Sequence, residues 1–224
     1  MSSEHEKGRN DRNDGDNHGD HNGRRRAPPD TAVVAAYRQL LDSFERIGYD
    51  VRGDDNFQGT PERAARALAD MVLPVRDIQA EVDGILSRTF RAKYDQMVLS
   101  KHNVCFGICP HHLLPVIYRI SLAYLPRERV IGISKLTRIA EVLARRPVLQ
   151  EQLTDDLAEL LYKRLDTLGS AAYVQGLHMC MAARGVQAHE VRIVTNAVRG
   201  SFKDDVSTRT EFLDLVRTGH PELL

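Results

Sequence analysis

MVLSKHNVCFGICPHHLLPVIYRISLAYL, residues 97–125, is the stretch on which the fold turns. Its two arms, 97–108 and 116–125, are rich in Val, Ile, Leu, Phe and Tyr and have the length and composition of strands. Between them stands Cys109-Pro110-His111-His112, and far downstream His178-Met179-Cys180 lies in another run of strand character, 171–182. Thiolate and imidazole together form a borderline-soft N/S donor set that suits Zn²⁺. Cys109 and His112 have a chelating C-x-x-H spacing, and Cys180 supplies a third ligand. Three protein ligands leave a tetrahedral ion one open position, the mark of a catalytic rather than a structural zinc. The chain has only 3 cysteines, so a closed site of four thiolates is impossible. If 171–182 is one strand, His178 and Cys180 project from the same face, because side chains alternate.

The flanking segments are mostly helical in pattern. Asp30 or Thr31 caps a first helix, in which Val33, Tyr37, Leu40, Leu41, Phe44 and Ile47 fall at helical spacing and Gly48 fits the stop. Thr60-Pro61 opens a second, with a cap and a proline at the first helical position. A weaker pattern covers Val75, Ile78, Val82, Ile85 and Leu86. Beyond the strands, 126–128 forms a turn and 129–133 a further strand. Ser134 can cap a helix carrying Leu136, Ile139, Val142 and Leu143. A long amphipathic helix is expected from Pro147 to about Leu168, ended by Gly169. Strand character returns at 171–182 and 191–198, and 208–217 is helical. This order predicts an α+β fold with a mainly antiparallel sheet.

Residues 1–29 contain no Val, Leu, Ile or aromatic side chain. Such a segment cannot bury enough apolar surface to offset its ordering entropy, so a disordered polar tail is expected. The remainder, 30–224, is expected to form one domain, with N-terminal helices over 30–90 and a core over 91–224. A chain of 224 residues with 42% hydrophobic content can bury such a core. With a net charge of zero, nothing suggests a nucleic-acid footprint or a polybasic membrane patch, and neither partner is expected. No apolar run approaches the roughly 20 residues needed to span a bilayer. The polar N-terminus has no signal-peptide core, and an odd number of cysteines makes no disulfide framework. A soluble, cytoplasmic protein of a reducing compartment is therefore expected.

Three further constellations stand out. Cys105 has no polar company and is expected to be a core thiol. Ser134, Lys135 and Arg138 lie at a helix N-terminus, where free N–H groups and the helix dipole favour an anion. A capped helix with a solvated basic face accounts for that segment alone; Arg184, which follows Cys180, brings in the reading of a phosphate cradle. Gln150-Glu151 starts the long helix. A first-turn acid complementing the dipole explains it, and a carboxylate beside an amide can also pair with the N–H edge of a guanine.

Taken together, these segments resemble GTP cyclohydrolase I. The resemblance rests on Thr60-Pro61-Glu62-Arg63, Cys109-x-His111-His112, Gly132-x-Ser134-Lys135-x-x-Arg138, Arg146-Pro147-x-x-Gln150-Glu151, His178-x-Cys180-x-x-x-Arg184-Gly185, Gly200-x-Phe202 and Thr208-Arg209-x-Glu211-Phe212-Leu213. It implies a tunnelling fold: a four-stranded antiparallel sheet with two helices on one face, plus N-terminal helices. It also implies a homodecamer of two pentameric rings with active sites at subunit interfaces. The implied reaction is attack of a zinc-bound water at C8 of GTP, loss of formate, and rearrangement to 7,8-dihydroneopterin triphosphate. By resemblance, Cys109, His112 and Cys180 hold Zn²⁺, His178 protonates the purine N7, and His111 is a second catalytic histidine. Glu151, aided by Gln150, recognises guanine; Lys135, Arg138, Arg184 and Arg66 serve the triphosphate, and Ser134 lies near the ribose.

The chain departs from the family in places. Pro110 stands where the family has glutamate, His102 replaces an acidic residue, and 192–197 is less rich in Thr and Ser. Two alternatives therefore accompany the main expectation. One is a divergent hydrolase that stops at a formamidopyrimidine or takes another purine nucleotide. The other is a non-catalytic relative that binds a nucleotide or a regulatory partner.

Overall fold

The computed structural model describes residues 28–218. The expected disordered tail therefore lies outside the described residues, except for Pro28 and Pro29. The chain divides into two compact units whose boundary in the sequence, Arg66 to Ala67, falls inside a helix.

In the first unit, α1 (Thr31–Arg46) begins where the Asp30 carboxylate accepts a hydrogen bond from the Ala32 N–H at 2.8 Å. That carboxylate satisfies one of the orphan donors at the helix start. Gly48, at φ 102°, takes the left-handed conformation that follows a helix end. A short 3₁₀ turn, Asp55–Phe57, leads into α2 (Thr60–Met71). Arg63 ties this entry together by donating to the carbonyls of Asn56 and Gln58 and to Thr60 Oγ1.

The second unit is built on a sheet. After α3 (Val75–Leu86), the short β1 (Thr89–Arg91) pairs antiparallel with β4 (Arg129–Ile131). The main sheet has the order β2 (Val98–Ile108), β3 (Pro115–Leu125), β5 (Gly169–His178), β6 (Ile193–Gly200), every neighbour antiparallel. α4 (Ser134–Ala144) and α5 (Gln150–Arg164) cover one face. Ile120, Leu122, Tyr124, Ala172 and Val174 meet Leu136, Ile139, Leu143, Leu153, Leu157 and Leu161 there, and α3 adds Val82 and Ile85. Each such fully buried aliphatic side chain contributes about 1.5–3 kcal/mol.

The other face is closed at one end by the C-terminal elements, α7 (Ser201–Asp204) and α8 (Val206–Arg217). Ala123 and Ala171 are register partners, and these small side chains leave room for Phe202 and Phe212, whose rings meet edge to face at 5.7 Å. Gly200 makes the turn into α7 at φ 53°, where an added Cβ would stand 2.2 Å from the Leu168 carbonyl oxygen, so only glycine fits. Phe202 is fully buried. Phe202→Ala is expected to cost about 3–5 kcal/mol, read as a lowered urea midpoint; an unchanged midpoint would mean the aromatic pair is dispensable.

β2 and α4 run alongside each other in the same direction. Near its start, β2 carries a bulge between Ser100 and Asn103, with His102 at φ 59°. The Asn103 side chain stitches this bulge: Nδ2 donates to the Ile120 carbonyl at 2.9 Å, and Oδ1 accepts from Thr137 Oγ1 of α4 at 2.7 Å. At the far end of α4, the Ala144 carbonyl oxygen lies 2.6 Å from where a Cβ on Gly107 would be. The N-terminus of α4 thus sits at the bulge end of β2, and its C-terminus at the Cys109 end.

The structure differs from the sequence expectations at several boundaries. The helix expected to reach Leu168 stops at Arg164, because Asp166 turns at φ 49° to deliver the chain into β5, which already includes Gly169. Ser134 does not cap α4: it is the first helical residue, Ile133 precedes it, and no side chain caps the end. The strand expected over 171–182 ends at His178, and Met179–Ala182 forms one helical turn, α6. His178 and Cys180 are therefore not related by strand alternation.

Candidate metal centre and anion-binding residues

Cys109 follows the last residue of β2, and a tight turn links it to β3. The Cys109 N–H donates to the Leu114 carbonyl and the Leu113 N–H to the Cys109 carbonyl, both at 2.9 Å. That turn presents His111 and His112. Cys180 reaches the same spot from α6, which opens directly off β5 beside β3. The fold therefore does unite Cys180 with Cys109 and His112, although by a helical turn.

One donor atom from each of Cys109, His112 and Cys180 lies within 4.8 Å of the others. The two sulfurs are 3.8 Å apart, and Cys109 Sγ is 3.9 Å from His112 Nδ1. Tetrahedral bonds of about 2.3 Å to sulfur place two ligands about 3.8 Å apart, so the donor set fits Zn²⁺. Burial, then the adjacent Cys109 sulfur, push the Cys180 thiol up. Two sulfurs this close resist ionising together, and a dication between them would reverse that preference. Cys105 is different: burial pushes its thiol up to about 12, and it packs in the core as expected.

His178 and Gln150 flank this cluster. The His178 ring lies edge to face against Tyr118, with centroids 6.2 Å apart, and its Nε2 is 2.9 Å from Gln150 Oε1. Burial lowers the His178 pKa, opposed by the Glu151 carboxylate. Burial also pushes the Tyr118 hydroxyl up to about 12, helped by Cys109, Glu151 and Cys180. The adjacent pair at the start of α5 splits: Gln150 is buried and Glu151 is exposed. His111 also approaches the centre, with Nδ1 4.0 Å from Cys109 Sγ. Arg184 is exposed just beyond α6, and its charge is felt at Cys180.

Ser134, Lys135 and Arg138 are not brought to this centre within the chain. They lie on the first turns of α4, at the bulge end of β2. Asn103 and Cys109 are six residues apart, about 20 Å along a strand. Ser134 and Arg138 are exposed there. Arg66 is exposed on α2, at the end of the first unit. Sequence reasoning missed Tyr118, Gly176 and Thr195, which surround Gln150 and His178. The one signal available was the closeness of Gly176 to His178 in the half of β5 that otherwise carries Tyr173, Val174, Gln175 and Leu177.

The α+β architecture, a four-stranded antiparallel sheet backed by two helices, is a tunnelling fold. The family model for GTP cyclohydrolase I matches residues 34–217. GTP cyclohydrolase 1 of Synechococcus sp. (strain JA-3-3Ab) is 40% identical over 195 residues, covering 87% of this chain and 82% of that protein. GTP cyclohydrolase 1 of Leptospira biflexa serovar Patoc is 38% identical over 180 residues, 79% of this chain and 97% of the relative. Among solved structures, the archaeosine synthase QueF-Like in the apo form aligns over 48% of this chain and 97% of its own, at 20% identity and a TM-score of 0.40. The chain belongs to the GTP cyclohydrolase I family and is an enzyme of that kind.

Proposed function

We propose that this protein opens the imidazole ring of GTP at C8, with Zn²⁺ as cofactor, releasing formate and forming 7,8-dihydroneopterin triphosphate. The observation that carries this reading is the convergence of Cys109, His112 and Cys180 beside His178, in a chain of this family. When bound, Zn²⁺ supplies Lewis acidity and makes a water nucleophilic near neutral pH. His178 delivers a proton to the purine N7, which turns that nitrogen into a leaving group, and His111 is the second acid–base group. Glu151 pairs with the N–H edge of guanine, with Gln150 beside it. Lys135, Arg138, Arg184 and Arg66 hold the triphosphate, and Ser134 lies at the ribose.

The distance between the basic turn of α4 and the metal centre supports a site shared between subunits. Arg184 would lie on one side of the substrate, and Lys135 and Arg138 of a neighbouring subunit on the other. β2 and β6 are the outer strands of the sheet, and open edges invite pairing around a closed ring. Membership of the family supports a homodecamer. Free cysteines suit a reducing, cytoplasmic setting. Among the described residues, no helix is long and apolar enough to cross a membrane.

Pro110 favours a second reading, in which ring opening outpaces the later steps. The Cys109–Leu114 turn takes its hydrogen bonds from Cys109 and Leu113, so proline at 110 costs the turn no donor. What is missing is a carboxylate between a metal ligand and His111. The test is zinc-loaded protein with GTP, quantifying formate, ring-opened intermediate and dihydroneopterin triphosphate separately. GTP consumption with formate release is expected, and its absence would overturn the function. Pro110→Glu is expected to lower the ratio of intermediate to final product; an identical ratio and rate would make the substitution neutral.

A further inference from the structure

Gln150 is 3% exposed, and both ends of its side-chain amide are engaged. Nε2 lies 3.2 Å from the Val174 carbonyl oxygen, 2.9 Å from that of Ile193 and 3.1 Å from Thr195 Oγ1. Carbonyl oxygens only accept, so the two backbone groups decide which end of the amide is nitrogen. Oε1 is then the atom 2.9 Å from His178 Nε2. An amide oxygen cannot donate, so Nε2 of His178 carries the hydrogen, and Nδ1 is the nitrogen left to face a substrate.

The surroundings are built for this contact. A Cβ on Gly176 would stand 2.2 Å from Gln150 Oε1 and 3.1 Å from His178 Nε2. Tyr118 is the register partner of Gly176 and supports the His178 ring at an interplanar angle of 88°. Thr195 Oγ1 also meets Thr154 Oγ1 at 2.6 Å, and Thr154 Oγ1 donates to the Gln150 carbonyl at 2.7 Å. Helix α5 and strands β5 and β6 thus all hold one amide in one orientation.

We propose that Gln150 is a positioning residue whose amide sets the orientation and tautomer of His178, across a gap that Gly176 keeps open, and that it does not itself bind the purine. This rests on His178 being the proton donor of the proposed reaction, which requires the imidazolium: Nδ1 takes up a proton and passes it to the purine while Nε2–H stays on Gln150 Oε1. A guanine contact would require the amide to leave two backbone carbonyls and a histidine that it already satisfies, at the cost of unpaired buried groups.

The test uses full-length, zinc-loaded wild type, Gln150→Leu and Gly176→Ala. Ring ¹⁵N spectra of His178, assigned against His178→Gln, are recorded without substrate, and GTP turnover is measured in parallel. Gly176→Ala retains the glutamine but forces Oε1 away, so it carries the test if Gln150→Leu does not fold. The expected result is an Nε2–H tautomer in wild type and a mixture in the variants. Turnover, kcat, should fall about 10- to 100-fold, as for other groups that orient a working imidazole, with KM for GTP near wild type. A wild-type ¹⁵N signature in the variants would overturn the proposal, as would a raised KM with unchanged kcat, which would mean a purine contact. Because the spectra need no turnover, a wild type that leaves GTP intact would overturn the proposed reaction while the spectra still decide the role of Gln150.

Discussion

Cys180→Ala is expected to lose zinc and activity together. Removing one of three protein ligands leaves Cys109 and His112 as a bidentate pair on one turn, which cannot enclose the ion. The loss should exceed the roughly 10- to 100-fold that removal of an outer, supporting partner costs. Cys180 is half-buried on a single helical turn and packs only at the margin of the core, so far-UV circular dichroism should match wild type. Elemental analysis of the purified variant is the measurement. Stoichiometric zinc would refute the ligand assignment, whatever the activity.

Arg184→Ala and Arg138→Ala are each expected to weaken GTP binding far more than guanosine binding. A guanidinium meets phosphate oxygens through charge-assisted, often paired hydrogen bonds. Losing one such bond costs about 1.5–3 kcal/mol, at least about tenfold in affinity. Equal losses for both ligands would make either arginine structural. The two ends of the sheet add a sharper consequence. If Arg138 serves a metal centre on a neighbouring subunit, inactive Arg138→Ala and inactive Cys180→Ala should complement each other. Refolding an equal mixture would regenerate about a quarter of the sites intact, each pairing one healthy metal centre with one healthy basic turn. No recovery of activity in the mixture would place both residues in the same subunit's site.

Much of the fold was legible because its signals are local. Asp30 as a cap, Gly48 as a stop and the strand composition of 97–108 and 116–125 all describe what the chain does there. The misses share a different origin. Leu177, Met179 and Met181 continue an apolar alternation past His178, and nothing local distinguishes one more strand turn from the helical turn that forms. β1 and α7 are three and four residues long, too short for any periodicity to register. At Ser134 the residue type was right for a cap, but the helix begins one residue too early to use it.

The candidate site divides in the same way. Ligand chemistry is written in residue types, so Cys109, His112 and Cys180 could be picked out before any geometry was known, and the structure does cluster them. The use of Gln150 could not. Beside Glu151 it looks like half of a polar pair, and only the packing of α5 over β5 and β6 turns one side chain inward and leaves the other exposed. The separation of Lys135 and Arg138 from the metal centre is likewise a matter of helix direction, which no motif encodes.

The strand order of the main sheet has a bearing on how the chain matures during synthesis. β2, β3, β5 and β6 are neighbours in the order in which they leave the ribosome, interrupted by the excursion through β4, α4 and α5 and then by the short α6. Each strand therefore finds its partner already waiting, with no gap held open for a later segment, which keeps the closure entropy of every pairing modest. The helix-backed face can be sealed only once β5 and β6 have joined the sheet, because α5 packs mainly on those two strands. The opposite face waits for Phe202 and Phe212 to reach Ala123 and Ala171. A nascent chain that stalls before α7 would carry a finished sheet with one uncovered patch, the state in which a chaperone rather than a neighbouring subunit is the safer first contact.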